Sequence, residues 1–415
     1  MSSGQKPVQV YVDTDGPARM GTLHAQIAGR QEIFSFEYAP DWLSKETAFA
    51  FDPDLQLFAG PQYPAQSRSN FGIFLDSSPD RWGRLLMQRR ENLRARQEDR
   101  ASRRLTDWDY LLGVHDETRL GALRFGSLEG GEFLDSDLRL AAPPITSVRE
   151  LHAASAGFER HIDEEDNPEY SRWLNQLLAP GSSLGGARPK ASVRDEAGDL
   201  CIAKLPSRAD TRDMAAWEML AHRLAQKCGI RLPEARLLDT GEHSTFLVKR
   251  FDRAANRRRL AFVSAMTLTQ RGDGETGASY LELVELLQRQ GADTLRDTHQ
   301  LFRRIVFSIL IHNTDDHLRN HGFFIEDRGV RLSPAYDVNP SPDRDDLTLA
   351  INETETACDV EIARGAHKLY ALSLKEADGL IADEQAAVAT WREEAAHLGI
   401  RRSEQDQMAS AFREI

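Results

Sequence analysis

The sequence has few cysteines, no long apolar run and no excess of positive charge. Only three of its 415 residues are cysteines, Cys201, Cys228 and Cys358, and no two form a CxxC pair. These counts exclude a disulfide framework and a cysteine-rich zinc site, and they fit a reducing cytoplasm. Apolar runs such as Ile305–Phe307 and Ile309–Ile311 are far shorter than the roughly 20 residues of a membrane helix. The N-terminus lacks the apolar segment of a secretory signal, so we expect a cytoplasmic protein with no membrane partner.

Acidic residues outnumber basic ones, which argues against a general affinity for nucleic acids. There are 65 Asp and Glu against 52 Lys and Arg, a net charge of −13. The exception is the segment 81–104, which holds nine arginines and three acids. We predict a helix there, with Ser78 as the N-cap, Pro79 at the first helical position and a run toward Arg104. Its charge has two interpretations, a solvated helix face or a docking surface for an acidic partner or DNA.

Length and patterning predict an α+β protein of two or three domains. Valine alternates with polar residues over 8–12, which indicates an N-terminal strand. The stretch 141–147 contains paired prolines and is the best candidate for a linker. We therefore predict a β-rich N-terminal domain over 1–145, a central β-then-α region over 146–252 and a helical lobe over 253–415.

The densest group of titratable and amide side chains lies in residues 312–321, directly after a predicted buried helix over 301–311. Phosphoryl transfer needs one carboxylate to orient the acceptor hydroxyl, and an amide with a second carboxylate to hold Mg²⁺ on the phosphates. Asp315 and Asn320 have the five-residue spacing found in kinases, and Asp337 follows 22 residues after Asp315, beyond a hairpin pattern. This order predicts Asp315 as the base, with Asn320 and Asp337 as ligands of Mg²⁺.

A second group of residues, upstream, is suited to binding phosphates. The loop 181–190 is rich in glycine, whose backbone N–H groups can surround a phosphate, although it matches neither the Walker pattern nor GxGxxG. A hairpin pattern follows, and Lys204 ends its second strand, which is the position of the phosphate-gripping lysine in kinases. Glu218, in the next predicted helix, is the natural partner of this lysine.

A different chemistry remains open for the same polar segment. His312, Asp315, Asp316, His317 and His321 can together bind Zn²⁺ or a pair of metal ions, as in a metal-dependent hydrolase. That alternative leaves the glycine loop and the upstream lysine unexplained. Taken singly, His312, Asp316 and His321 are also consistent with ordinary polar loop residues.

Taken together, the motifs resemble the HipA-type serine/threonine kinase toxins of bacterial toxin–antitoxin modules. Residues 36–42 and 77–81 also look like the N-terminal domain of that family, so the likeness spans nearly the whole chain. The motifs that carry the resemblance are Ser182–Lys190, Ala203–Pro206, Val248–Arg253, Asn313–Asn320 and Leu332–Val338.

This resemblance implies a protein-kinase-like bilobal fold, with an added N-terminal β-rich domain and an all-helical C-terminal lobe. It implies the same catalytic and metal-binding roles as the spacing does, and it places Lys249–Phe251 at the hinge that binds adenine through backbone groups. Family members phosphorylate a serine of their own glycine loop; Ser183 matches that position best, with Ser182 as its rival. The residues implied to bind ATP are Ser183, Leu184, Gly185, Gly186, Ala187, Arg188, Lys190, Lys204, Glu218, Lys249, Arg250, Phe251, His317, Asn320 and Asp337.

The resemblance also implies partners. The family's antitoxin is HipB, a small dimeric helix-turn-helix protein that brings the kinase to operator DNA, and its known targets include an aminoacyl-tRNA synthetase. We therefore expect ATP and Mg²⁺ as cofactors, a HipB-like antitoxin, a protein substrate, and contact with operator DNA mainly through the antitoxin. The alternative within this family is an inactive kinase-fold scaffold that binds an antitoxin and operator DNA.

Overall fold

The chain forms two compact units in the computed structural model. Unit 1 comprises residues 1–210 and 247–263, and unit 2 comprises residues 211–246 and 264–415. This division does not test the three regions predicted from the sequence, which stay a prediction. No helix in the described part of the chain is both long and apolar enough to cross a membrane. The structure describes residues 6–29, 31–46, 48–128, 132–137, 142–164, 167–181, 186 and 188–412.

Unit 1 begins with a four-stranded antiparallel sheet in the order β3-β2-β1-β4. Its strands are β1 (Lys6–Asp13), β2 (Pro17–Ala28), β3 (Gln31–Tyr38) and β4 (Leu123–Gly126). Val8, Val10 and Val12 of β1 are all buried, which confirms the predicted alternation of faces. Val10 lies opposite Phe125 of β4, so the last strand of the sheet comes from a distant part of the sequence.

A helical cluster in unit 1 forms its second core. Trp82, Phe158 and Leu174 are buried in one hydrophobic cluster, with the rings of Trp82 and Phe158 edge to face at 6.1 Å. These residues come from α3, α5 and α6. The helices of unit 1 are α1 (Pro40–Leu43), α2 (Gly72–Asp76), α3 (Arg81–Gln97), α4 (Asp107–Leu112), α5 (Val148–Arg160) and α6 (Tyr170–Gly181).

The start and end of α3 differ from the sequence prediction. The predicted N-cap, Ser78, instead donates its hydroxyl hydrogen bond to the Phe74 carbonyl at the end of α2. Asp80 is the N-cap, and its Oδ1 accepts the N–H of Arg81. The helix ends at Gln97, so the last three arginines of the basic segment lie beyond it.

The predicted hairpin before Lys204 is present in unit 1. In this sheet β6 lies between β5 and β8, and Lys190 at the start of β5 is opposite Lys204 at the end of β6. Asp195 stabilises the turn by accepting the N–H groups of Ala197 and Asp199. These strands and the next ones along the chain are β5 (Lys190–Arg194), β6 (Leu200–Lys204), β7 (Ala235–Asp239), β8 (Ser244–Lys249) and β9 (Phe262–Ser264).

Unit 2 is mostly helical, but it also contains strands. The predicted hairpin of β10 (Gly322–Glu326) and β11 (Gly329–Leu332) is present, with Phe323 opposite Leu332. The helices of unit 2 are α7 (Met214–Lys227), α8 (Ala265–Leu268), α9 (Tyr280–Gln290), α10 (Thr294–Leu310), α11 (Val360–Gly365), α12 (Leu374–Val388), α13 (Trp391–His397) and α14 (Arg402–Met408).

The core of unit 2 supports the polar segment that follows α10. This helix begins at Thr294, earlier than the predicted 301, and nearly all of its last ten residues are buried. Trp217 of α7 lies 6.3 Å from Trp391 of α13, whose ring stacks on Phe412 at 4.4 Å. A rigid helix therefore ends directly at the residues predicted to carry the chemistry.

Candidate active site

Two loops of unit 2 are tied together by backbone and side-chain hydrogen bonds. The Asn313 amide oxygen accepts the N–H of Asn339 at 3.2 Å, and the His312 carbonyl accepts the N–H of Ser341 at 3.1 Å. At the other end, the Tyr336 hydroxyl donates to the Arg319 carbonyl at 2.8 Å. These three links join the segment 312–321 to the segment 336–341, and so they join the loop of Asp315 and Asn320 to the loop of Asp337.

The three predicted catalytic residues differ in exposure and backbone geometry. Asp315 and Asp337 are exposed, whereas Asn320 is buried and its amide donates to the Asp315 carbonyl at 3.2 Å. Asp337 has a left-handed backbone with φ 57°, and His312 at the base of the first loop has φ 50°. Non-glycine residues adopt this region at a cost, and such strain concentrates at functional sites.

The residues on these loops suit a hard divalent cation. Mg²⁺ binds oxygen donors and retains several waters, so one amide oxygen and one carboxylate are a sufficient protein contribution. Asn320 and Asp337 offer those groups, and the exposed Asp315 carboxylate is open to a protein hydroxyl group. The donor set therefore fits a Mg²⁺–nucleotide complex.

Asp316, next to Asp315, belongs to a buried network. Its carboxylate accepts a hydrogen bond from the Tyr280 hydroxyl at 2.6 Å and lies 3.0 Å from His321 Nε2. Burial raises the pKa of Asp316, but the proximity of His321 and the hydrogen bonds from His321 and Tyr280 outweigh it, so its pKa lies below the ordinary value. Burial and the Asp316 charge raise the pKa of Tyr280 well above its usual range. The network connects the middle of the loop that carries Asp315, at Asp316, to its C-terminal end at His321 and to Tyr280 of α9.

Two of the three histidines proposed as zinc ligands, His312 and His321, are engaged elsewhere. His312 Nδ1 lies 3.0 Å from the Ala411 carbonyl, and His321 pairs with Asp316. Within the described ranges, no group of three or more His, Cys, Asp or Glu side chains is placed to hold a metal ion. The geometry therefore offers no support for the hydrolase alternative.

Only part of the glycine loop falls within the described residues. Gly186 has φ 85°, its N–H donates to Asp80 Oδ2 at 2.7 Å, and its carbonyl accepts the N–H of Trp82 at 3.1 Å. Trp82 Nε1 also donates to the Lys190 carbonyl. Sequence analysis missed this role of Asp80 and Trp82, although Asp80 lies within the family-like motif 77–81 and Trp82 directly follows it. The predicted residues Ser182, Ser183, Leu184, Gly185 and Ala187 lie outside the described part of the chain.

The remaining predicted phosphate-binding residues are spread over both units. In unit 1, Lys190 and Lys204 face each other across the β5–β6 hairpin, and Arg188 forms an ion pair with Asp210. In unit 2, Glu218 is buried on α7. The predicted pairing of Lys204 with Glu218 stays a prediction.

The predicted hinge residues are held within unit 1. The Arg250 backbone N–H donates a hydrogen bond to the carbonyl of Leu200 in β6 at 2.9 Å. The Arg250 guanidinium is buried against Asp252. Lys249 pairs with Asp199 at 2.6 Å. Phe251 lies against Phe262, with ring centroids 5.8 Å apart. The role of this segment in adenine binding stays a prediction.

Much of the positive charge in the basic segment is neutralised by acids of unit 1. The pairs are Arg84–Asp107, Arg89–Asp163, Arg100–Glu91 and Arg103–Asp109. Burial and the neighbouring Arg94 lower the pKa of Arg90, which is half-buried. Arg81, Arg94 and Arg96 are exposed. The docking interpretation therefore depends on fewer arginines than the sequence suggested, and it stays a prediction.

The fold and the two linked loops define a mixed α/β protein of the protein-kinase-like class. The sequence profile of the HipA-like C-terminal domain family matches residues 182–411, and the chain belongs to this family. A Haemophilus influenzae protein described as a putative kinase is 28% identical over 244 residues, covering 51% of this chain and 71% of that protein.

The same likeness extends to a solved structure. The HipA chain in the Shewanella oneidensis MR-1 complex of HipA, HipB and operator DNA has 16% sequence identity and a TM-score of 0.62. The match covers 98% of this chain and 95% of that one. At this identity the match establishes the fold, and it confirms the α+β, kinase-like class predicted from the motifs.

Proposed function

We propose that this protein is a Mg²⁺–ATP-dependent serine/threonine protein kinase that acts as a growth-inhibiting toxin. The observation that carries the proposal is the linkage of the Asp315–Asn320 loop to the Asp337 loop, with both carboxylates exposed. Membership of the HipA-like family and the putative kinase of Haemophilus influenzae also support it.

The proposed mechanism assigns one task to each residue. Asp315 orients the acceptor hydroxyl and accepts its proton as the oxygen attacks the γ-phosphorus; the bond from this phosphorus to the bridging oxygen of the β-phosphate breaks, and ADP leaves. Asn320 and Asp337 would hold Mg²⁺, which neutralises charge on the phosphates when it is bound. Lys204 would grip the phosphates and Glu218 would orient Lys204, while residues 184–190 would lie over the phosphates.

Autophosphorylation of the glycine loop is the proposed self-limiting step. Ser183 is the preferred acceptor and Ser182 its rival. A phosphoserine carries about −1.5 to −2 charge at neutral pH and would repel the ATP phosphates that this loop is expected to surround.

The proposed partners follow from the family and from the Shewanella complex, in which HipA is bound with HipB and operator DNA. We propose a HipB-like helix-turn-helix antitoxin that neutralises this kinase in the cytoplasm and connects it to operator DNA. The net charge of −13 fits DNA contact made mainly through the antitoxin. An aminoacyl-tRNA synthetase is the first candidate among protein substrates.

The decisive test is phosphate incorporation in matched variants. Wild type, Asp315→Asn and the control Asp327→Asn, an exposed acid in the β10–β11 turn, are incubated with Mg²⁺ and ATP and analysed by mass spectrometry. We expect phosphate on Ser183 or Ser182 in wild type and Asp327→Asn, and a loss on the order of 10²–10⁴-fold in Asp315→Asn. Near-normal transfer by Asp315→Asn would show that another group is the base. ATP binding without transfer to itself or to lysate proteins, in wild type, would favour the scaffold alternative.

A further inference from the structure

Unit 1 contains a strongly cationic pocket that the proposed kinase mechanism does not use. Its volume is about 270 Å³. Its lining includes six arginines and one lysine, against two aspartates and one glutamate. It shares Lys249 and Arg250 with the predicted hinge, but none of Asp315, Asn320, Asp337 or Lys204 lines it. We call it the arginine pocket.

The inner wall of the arginine pocket is built from buried guanidinium groups. The side chains of Arg250, Arg253 and Arg259 are only 2%, 9% and 10% exposed. Asp252 pairs with both Arg250 and Arg253 at 2.6 Å, Asp116 pairs with Arg259 at 3.4 Å, and backbone carbonyls accept further hydrogen bonds from these arginines. These contacts fix the guanidinium planes in place before any ligand arrives.

The buried charges of this wall repel one another. Burial, together with the proximity of Arg250 and Arg259, lowers the pKa of Arg253 to about 9 despite the adjacent Asp252. Burial also lowers the pKa of Arg259, to about 10. An anion in the pocket would relieve this repulsion, because it would add opposite charge beside the buried guanidinium groups.

Two residues near the rim of the pocket have a left-handed backbone conformation. Arg257 is exposed and has φ 63°, and Gly198 has φ 80°. A Cβ atom at residue 198 would clash with the Arg257 guanidinium, so the glycine creates the space that this group occupies. The group donates to the Ala197 carbonyl at 3.3 Å.

The charge balance of the pocket favours a ligand with several negative charges. The lining carries seven cations and three anions, which leaves 7 − 3 = +4. Asp13 and Asp252, which pair with lining arginines but do not line the pocket, reduce this to +2. The excess is positive in a protein whose net charge is −13.

We infer that the arginine pocket binds a compact phosphate compound with more than one negative charge. Guanidinium groups on several walls match a tetrahedral phosphate, whose oxygens accept hydrogen bonds in several directions, better than a planar carboxylate. The pocket volume of about 270 Å³ is far larger than the roughly 30 Å³ of one water, so a compound of two linked phosphate groups has room in it. The inference does not rest on the proposed kinase activity.

The test is calorimetric titration of the full chain with pyrophosphate, in EDTA and at constant ionic strength. The variants are Arg257→Gln and Arg194→Gln, which remove lining guanidiniums. The matched control is Arg258→Gln, the adjacent exposed arginine that pairs with Asp15 and does not line the pocket. We expect binding by wild type, a loss of about tenfold or more in affinity in either lining variant, and less than a twofold change in the control.

Three results would overturn the inference. The first is no binding of pyrophosphate by wild type. The second is unchanged affinity in both Arg257→Gln and Arg194→Gln. The third is a loss of pyrophosphate affinity only in an additional variant, Lys204→Gln. That result would place the bound pyrophosphate at the predicted phosphate-gripping lysine. A parallel titration of inorganic phosphate should give weaker binding with the same ranking of variants.

Discussion

At the residue scale, Asp315 and Asp316 illustrate how neighbouring, identical side chains acquire different roles. Asp315 is exposed beside Asn320, whereas Asp316 is buried with Tyr280 and His321. The five-residue spacing to Asn320 is enough to predict Asp315, and not Asp316, as the catalytic base. Nothing in the sequence reveals that Asp316 is the anchor of the same loop, because its burial and its hydrogen bond from Tyr280 of α9 depend on residues that are distant in the chain.

The first prediction concerns the stability that Asp316 provides. Since the folded-state pKa of Asp316 is lowered, its carboxylate contributes stability above the ordinary pKa of about 3.9, and this contribution is lost as the pH falls below that value. We expect Asp316→Asn to lower the free energy of unfolding at pH 7 by about 1–3 kcal/mol, and by less at pH 3. Urea unfolding at both pH values measures this. Asp315→Asn, the exposed control, should change stability by less than about 0.5 kcal/mol.

The second prediction concerns Glu384, a fully buried acid on α12 whose nearest cation is Arg303 at 3.6 Å. Burial raises its pKa well above the ordinary value, and the Arg303 charge offsets this only in part. The stability it contributes is present below the ordinary pKa of about 4.3 and is lost as the pH rises. Glu384→Gln should therefore become more stable than wild type between pH 5 and pH 8, by on the order of 1 kcal/mol. A constant difference across this range would contradict the assignment.

At the element scale, α3 connects the N-terminal region of unit 1 to the end of the glycine loop. One Asp80 oxygen caps the helix at Arg81 and the other accepts the Gly186 N–H, so a single carboxylate serves two elements. The residues of this link are about a hundred positions apart in the chain. Neither the helix propensity nor the charge pattern of α3 indicates the contact between Asp80 and Gly186.

The third prediction tests this double role. Asp80→Ala should cost about 0.5–2 kcal/mol through loss of the N-cap, and it should also release Gly186 and weaken ATP binding. Thermal unfolding and an ATP titration measure the two effects. Ser78→Ala is the control, because Ser78 was the predicted N-cap but does not cap the helix. An equal effect of Ser78→Ala on ATP affinity would argue against the Asp80–Gly186 link.

At the scale of the whole molecule, binding of a ligand to a site assembled from loops should raise the stability of the folded protein. A ligand that binds only the folded state, at a hundred times its Kd, adds about 2.7 kcal/mol, which corresponds to a rise in Tm of about 5–10 °C for a unit of this size. The fourth prediction is that Mg²⁺–ATP raises the Tm by about this amount. Asp337→Asn should lose the part of the shift that requires Mg²⁺, and Asp327→Asn should keep it. A shift independent of Asp337 would remove this residue from the metal site.

The sequence by itself determined the local elements and the order of the chemical motifs. Short-range periodicity and turn chemistry can be read directly from a sequence. They were enough to predict the valine alternation in β1, the hairpins of β5–β6 and β10–β11, and the spacing of Asp315 and Asn320. The family resemblance rests on the same short segments.

Only the tertiary structure decided which groups are buried, exposed or brought together. In the tertiary structure, Asn339 contacts Asn313, Asp316 is buried and Asp315 is exposed. The N-cap of α3 is Asp80, and arginines from separate segments of the chain line one pocket. The physical reason is that burial, ion pairing and pKa depend on neighbours that are distant in the chain, and a linear pattern carries no information about them.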